Sequence, residues 1–231
     1  MTDTPDTFAA RVLIWPATIM SIVLAFSPIP TIRTIIREQN TKDFSVIPYV
    51  AMAAQCSMWL VRAYFKKDKD LLPSNIGVLI VEIGYMSVFW RFTNDREYLV
   101  KVFGGAVGLI AILTLISAIS TSSITVSGVF AMILNILMFA SPLAVVKKVY
   151  TTKSVANMPL PLSAASLACA AAWFAYALAK KDWNLIIPNG LGVAFGIAQL
   201  VIYFKFARDD RTLRIDTPPS EEVIGVRHFE A

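Results

Sequence analysis

Long stretches free of Asp, Glu, Lys and Arg alternate with short charged clusters along almost the whole chain. A helix that crosses ~30 Å of hydrocarbon needs roughly 20 apolar residues, and the stretches have about that length. The first runs from Val12 to Ile32, between Arg11 and Arg33. The second runs from Phe44 to Val61, and the third from Leu71 to Trp90, interrupted only by Glu82. From Val102 to Val146 there is no charge at all, too long a run for one helix. Its polar segment SAISTSSITVS, Ser117 to Ser127, reads as a turn that divides it. Ser154 to Ala179 is the sixth run and Trp183 to Phe204 the seventh. The pattern predicts an all-α membrane protein with seven transmembrane helices.

Composition agrees. Of 231 residues, 56% are hydrophobic and 16% charged, against about 25% charged in a typical soluble domain. Disorder and an ordinary water-soluble globule are thereby excluded. The net charge of +5 does not point to nucleic acid, because the basic residues sit at the ends of apolar runs, as interfacial anchors do. Arg33, Arg37 and Lys42, then Arg91, Arg96 and Lys101, then Lys147, Lys148 and Lys153 fall on one side of the predicted topology, with Lys205, Arg208, Arg211, Arg214 and Arg227. Arg11, Arg62, Lys66, Lys67, Lys69, Lys180 and Lys181 fall on the other. The excess of Lys and Arg places the first side in the cytoplasm, the N-terminus outside and the C-terminus inside. The N-terminal MTDTPDTFAA has no basic residue, so the first apolar run is expected to stay as a helix. From Arg208 onward, with Pro218-Pro219 and Glu221-Glu222, the chain reads as a solvated, flexible tail.

Several chemistries drop out. Cys56 and Cys169 each lie inside an apolar run, which fits neither a disulfide framework nor a zinc site. The one histidine, His228, is in the tail, and no phosphate-binding glycine loop occurs. The seventh helix has no lysine before Lys205 for a retinal Schiff base. No nucleophile–base pair is present, so the expectation is no enzyme, no cofactor and no metal.

The most informative feature is an internal repeat. A shift of 114 residues carries Ser27-Pro28 onto Ser141-Pro142, Arg33 onto Lys147, Trp59 onto Trp173 and Ala63 onto Ala177. It also carries Lys66-Lys67-Asp68 onto Lys180-Lys181-Asp182, Leu71 onto Leu185 and Asn75 onto Asn189. The loop TKDFSVIP (41–48) matches TKSVANMP (152–159) at a shift of 111. Three helices per copy is an odd number, so the unmatched fourth run restores the orientation and leaves the copies parallel, the arrangement of some transporters whose site lies between the repeats. The expected division is 1–97 for the first three-helix repeat, 98–119 for a linker helix, 120–207 for the second repeat and 208–231 for the tail: three, one and three helices. Gly104, Gly105 and Gly108 suit a linker helix packed closely on its neighbours.

The repeated residues suggest roles. Pro28, Pro48, Pro142 and Pro159 lie near the cytoplasmic ends of helices one, two, five and six. A single proline of this kind often does no more than begin a helix, and Pro48 and Pro159 stand where helices begin. Four in symmetry favour hinges. Trp59 and Trp173 lie at matched depth, and indole faces suit the C–H faces of a sugar ring, whereas Trp15, Trp90 and Trp183 read as interfacial belt residues. Asn75 and Asn189 offer both donors and an acceptor to a hydroxyl-rich ligand; helix–helix hydrogen bonding is the alternative. Glu82 has Gly196 as its partner in the other copy and is assigned no role in coupling.

These blocks resemble a known family. FSPIPTIRTI (26–35), DFSVIPYV (43–50), FASPLAVVKKVYTTKSVANMP (139–159) and IIPNGLGVAFGIAQLVIYF (186–204) are similar to the SWEET sugar transporters, over nearly all of residues 10 to 206. The resemblance implies facilitative, bidirectional sugar transport by alternating access without ion coupling, usually in a homo-oligomer, with a sugar as the small-molecule partner and the plasma membrane as the expected location. It implies that Pro28, Pro48, Pro142 and Pro159 are the hinge prolines, that Asn75, Asn189 and Trp173 bind sugar, and that Trp59 matches a tryptophan many members share. It further assigns to the pocket Leu24 and Ser21, Met138 and Asn135, which precede the helix-one and helix-five prolines, and Gln55 and Cys169, which precede the tryptophans. Met138 narrows that pocket relative to the Val of some disaccharide transporters and leans toward a monosaccharide. The family's gate aspartate falls on Asp182. Arg62 stands where many members have tyrosine, so an Arg62–Asp182 ion pair is expected to close the outer side. A seven-helix receptor is the competing reading, disfavoured by the repeat. A proton-coupled PQ-loop-type exporter is another; it calls for Pro-Gln pairs where this chain has Pro28-Ile29 and Pro142-Leu143.

Overall fold

Two spans break beside a proline, whereas Pro16 and Pro188 lie within unbroken helices. The computed structural model describes residues 8–41, 44–138, 140–155 and 158–216, without the side chains of 140–142 and 208–216. Lys42, Pro218-Pro219, Glu221-Glu222, Arg227 and His228 lie outside the described residues. Helix one is two pieces, α1 (Phe8–Ala25) and α2 (Ile29–Glu38). Between them Ser27 N–H donates to the Leu24 carbonyl at 2.9 Å and Ile29 N–H to Phe26 at 3.1 Å, tightening the chain into a turn ahead of Pro28, the N-cap of α2. Helix five is likewise α6 (Ser123–Leu137) and α7 (Ala140–Thr152), with Pro142 in the first turn of α7.

The other spans are α3 (Ile47–Lys66), α4 (Leu72–Phe92), α5 (Arg96–Ile119), α8 (Leu160–Lys180) and α9 (Trp183–Asp216). All secondary structure among the described residues is helical, and the seven spans are those the apolar runs predict. Five segments, Phe8–Glu38, Lys69–Phe92, Arg96–Ile119, Leu160–Lys180 and Trp183–Ala207, are long and apolar enough to cross a membrane, with Ser123–Leu137 a shorter apolar helix. The α3 helix has 20 residues, about 30 Å of rise; Gln55, Arg62 and Lys66 lower its hydropathy. Asp95 caps α5 by accepting from the Tyr98 N–H at 2.9 Å.

The repeat is visible in the backbone. The non-glycine residues with positive φ among those described are Gln39, Lys67, Lys153 and Lys181, and the 114-residue shift carries the first two onto the last two. Each of Lys67 and Lys181 closes its helix in the left-handed conformation, donating its N–H to the carbonyls of Ala63 and Ala177 respectively, among others. Packing repeats as well. In the first half α4 lies against both α1 and α3; in the second, α9 lies against α6, α7 and α8. Between halves α1 packs on α8 and α3 on α6, and the shift exchanges these two seams. The unmatched α5 packs on α3 and α6, one helix from each half.

The cores differ between the two ends of the bundle. At the end where α3 and α8 finish, one buried cluster draws on both halves: Trp59, Ala63 and Leu71 with Tyr176, Ala177 and Leu185, and Trp173 packed against them. At the other end the halves keep separate cores. Ile32, Ile35, Tyr49, Tyr85 and Phe89 pack in the first, and Val149, Met158 and Phe206 in the second. Outward, α5 exposes Val107, Ile112, Leu115 and Ile119, and Trp15, Trp90 and Trp183 are exposed near helix ends, as an integral membrane protein requires.

Three expectations change. The glycines of α5 are not close-packing positions: a Cβ at Gly104, Gly105 or Gly108 would meet no heavy atom within 4 Å. The close approach is instead between α9 and α8, where a Cβ at Gly196 would lie 2.9 Å from Leu167 Cβ and 3.2 Å from Leu167 Cα. The spacing of the apolar run could not show which helix faces which. Helix α9 also continues through Asp216, into the stretch read as a flexible tail. Lastly, Pro48 sits in the first turn of α3 and Pro159 at the N-cap of α8, so of the four matched prolines it is Pro28 and Pro142 that accompany breaks within a span.

Gly196→Ala should therefore lower the melting temperature of the detergent-solubilised protein, by an overpacking cost of about 1–3 kcal/mol. Gly105→Ala should leave it equal or higher, because an open helical glycine gains from a side chain. Equal melting of the two variants would contradict the α8–α9 packing.

Candidate functional site

The pocket residues come as pairs under the same shift: Ser21 with Asn135, Leu24 with Met138, Gln55 with Cys169, Trp59 with Trp173 and Asn75 with Asn189. Ser21 of α1 is joined to α8. Its Oγ donates to the Ala17 carbonyl at 3.0 Å, accepts from Trp173 Nε1 at 2.8 Å, and lies 3.6 Å from Cys169 Sγ. Trp59 is buried, whereas Trp173 is half-buried and set edge-on to Tyr176, with ring centroids 5.6 Å apart.

The asparagines repeat one contact in both halves. Asn75 Nδ2 donates to the Leu71 carbonyl at 2.8 Å, and Asn189 Nδ2 to Leu185 at 2.9 Å; Asn75 Nδ2 also reaches Ser74 Oγ at 3.4 Å. Each amide thus uses a donor to fix its orientation and retains its carbonyl oxygen for another partner. Leu71 and Leu185 share one core, so the two asparagines lie one helical turn beyond a common point. Gln55 and Asn135 are half-buried, with no hydrogen-bond partner for their side chains among the described residues, and Leu24 and Met138, three residues after Ser21 and Asn135, are half-buried as well. Among the described residues, no cross-half hydrogen bond joins the side chains of Leu24, Gln55, Asn135 or Met138 to the rest.

At the end where the halves share a core, charges cross the seam. Arg62 Nη2 donates to Asp182 Oδ2 at 2.6 Å, with only 2% and 5% of the two side chains exposed. Lys66 Nζ reaches the same oxygen at 2.6 Å and lies 3.6 Å from Asp68. The second half answers with Tyr176, whose hydroxyl donates to Asp70 Oδ2 at 3.0 Å, and Lys180, whose Nζ lies 2.9 Å from that oxygen. The expected Arg62–Asp182 contact is present. Sequence reasoning does not single out Lys66, Asp70, Tyr176 and Lys180 for it; the matched charged triplets at 66–68 and 180–182 are the available signal. Arg62 also stands over the Trp59 ring at 5.6 Å, and its Nε and Nη1 have no acceptor among the described residues.

Glu82 is buried in α4, and its Oε2 has no partner among the described residues. No group of three His, Cys, Asp or Glu side chains is placed to hold a metal ion among the described residues.

Burial by itself would raise the Asp182 carboxyl, but Arg62 and Lys66 beside it outweigh that and hold it below the usual carboxylate range. A carboxyl whose folded value is depressed stabilises the fold above its unfolded value, and the contribution is lost as pH falls through the folded value. The melting-temperature gap between wild type and Asp182→Asn should accordingly stay constant from pH 8 to about 5 and close below about 4. A gap that closes between pH 7 and 6 would contradict the assignment.

Comparison with known proteins follows the same division of the chain. The profile of a family described as "Sugar efflux transporter for intercellular exchange" matches residues 11–97 and again 125–211. The chain is 31% identical over 211 residues to the bidirectional sugar transporter NEC1 of Petunia hybrida, covering 89% of this chain and 78% of that protein. It is 34% identical over 193 residues to the bidirectional sugar transporter SWEET4 of Oryza sativa subsp. indica, covering 79% and 74%. Against the 3.7 Å structure of a eukaryotic SWEET transporter it is 26% identical with a TM-score of 0.79, over 87% of this chain and 97% of that one. A family of transporters rather than enzymes is what this architecture serves, and the chain belongs to it: the SWEET family, sugar efflux transporters for intercellular exchange.

Proposed function

We propose that this chain is a facilitative, bidirectional sugar uniporter that works by alternating access and favours monosaccharides. The observation that carries the reading is the contrast between the two ends of the bundle. At one end Arg62 and Lys66 on Asp182, and Tyr176 and Lys180 on Asp70, bind the halves together over a common core. At the other end α2 packs on α4 and α7 on α9, each half with its own core. In and beside the common core lie the paired tryptophans and, one turn from Leu71 and Leu185, the paired asparagines, whose amide oxygens have no partner among the described residues and suit sugar hydroxyls. A transporter closed on one side and open on the other needs this arrangement, and reversing it carries the cargo across.

In this reading residues 1–97 and 120–207 move as two bodies about the linker 98–119. Pro28 and Pro142 mark the bends, Pro48 and Pro159 the helix starts that pivot with them, and Arg62–Asp182 closes the outer gate. Substrate meets Asn75, Asn189, Trp59, Trp173, Ser21, Leu24, Gln55, Asn135, Met138 and Cys169. The basic residues put the α2/α7 end in the cytoplasm and the N-terminus outside, in a plasma membrane where the chain assembles as a homo-oligomer surrounded by lipid. The relatives named above are bidirectional sugar transporters, which is what brings sugar to this site.

The test is uptake of radiolabelled glucose, fructose and sucrose in transporter-deficient cells. Glucose or fructose should enter faster than sucrose, and Asn189→Ala at wild-type abundance should lose about tenfold or more, as expected for removing a buried polar contact. Arg62→Tyr should stay near wild type and Arg62→Glu should lose uptake. Normal transport by Asn189→Ala would overturn the site, and equal activity of the two Arg62 variants would overturn the gate.

A further inference from the structure

The break in helix one leaves a main-chain acceptor to be satisfied. In a continuous helix the Ile29 N–H would donate to the Ala25 carbonyl, four residues back. In this chain it donates to Phe26 at 3.1 Å instead. The Ala25 carbonyl accepts from the hydroxyl of Tyr85, on α4, at 2.8 Å. Tyr85 is buried, as is Ala25, and an unsatisfied carbonyl at that depth is costly. In the broken form the phenol supplies the donor that the Ile29 amide would supply in a continuous helix, so the oxygen depends on Tyr85 most when the helix is broken.

The phenol is itself fixed. Its ring meets the Tyr49 ring edge-on, with centroids 5.4 Å apart, and Tyr49 follows Pro48 at the start of α3. Both rings belong to the core that receives Ile32 and Ile35 of α2. The bond therefore ties the broken helix one to the docking of α2 on α4, which is the arrangement of the open end. The 114-residue shift places Gln199 at the corresponding position of α9, so the phenol belongs to the first half alone.

We infer that Tyr85 is a positioning residue for transport: its hydroxyl stabilises the broken form of helix one and thereby favours the conformer with the α2/α7 end open. This rests on the two-conformer reading above. In the full chain, spin labels at Arg37→Cys and Lys148→Cys, exposed on α2 and α7, with Cys56→Ala and Cys169→Ala to remove the native thiols, report the separation of those segments by pulsed electron resonance. Wild type should show a long and a short distance. Tyr85→Phe keeps the ring and should lower the long-to-short ratio roughly threefold to fivefold, the effect of losing one buried hydrogen bond. A ring-fluorinated tyrosine at position 85, a stronger donor, should raise it, and decides the matter alone if Tyr85→Phe does not fold. A ratio that neither substitution changes overturns the inference and leaves alternating access standing. A single distance in the wild type overturns the two-conformer reading and the inference together.

Discussion

Charge taken out of water is the most demanding element of this structure. Arg62 and Asp182 are almost wholly buried where the two halves meet, and a buried charge that loses its partner costs about 3–5 kcal/mol. The pair is therefore poor as a general stabiliser, and it is favourable only while the halves are together. Lys66 and the Asp70–Tyr176–Lys180 group surround it with partners from both halves. In the proposed cycle, opening that end would require each of these charges to exchange its partner in the other half for water.

Duplication places matched residues of the two halves at the same depth. Matched residues of the two halves belong to or pack against one shared core, Trp59 and Trp173, Ala63 and Ala177, Leu71 and Leu185, while at the other end each half has an apolar cluster of its own. The halves are not identical where they touch. The shift carries Arg62 onto Tyr176, so Asp182 takes a guanidinium and an ammonium from the first half, while Asp70 takes a phenol and an ammonium from the second. Both partners of each carboxylate reach it from the opposite half.

Much of this is legible in the sequence because membrane helices are written in charge-free runs, and because a repeat shows matched depth directly. The seven spans and the paired amides follow from those two features, whereas the Arg62–Asp182 contact is implied by the family resemblance. What is not legible depends on which helix faces which. Gly104, Gly105 and Gly108 read as packing residues, yet they face open space, whereas Gly196, noted only as the counterpart of Glu82, is where α8 and α9 approach. Asp70 and Tyr176 are 106 residues apart, and no local pattern joins them. The extension of α9 to Asp216 is hidden because charged residues suit a helix and a tail equally well.

The most direct test joins the seam covalently. With Arg62→Cys and Asp182→Cys in an otherwise cysteine-free chain, a bifunctional methanethiosulfonate reagent long enough to replace the arginine side chain should join the two thiols and stop sugar uptake, and reduction, which releases the reagent, should restore it. Uptake that continues at full rate with the cross-link in place would mean that this end never opens, and would contradict transport by separation of the two halves.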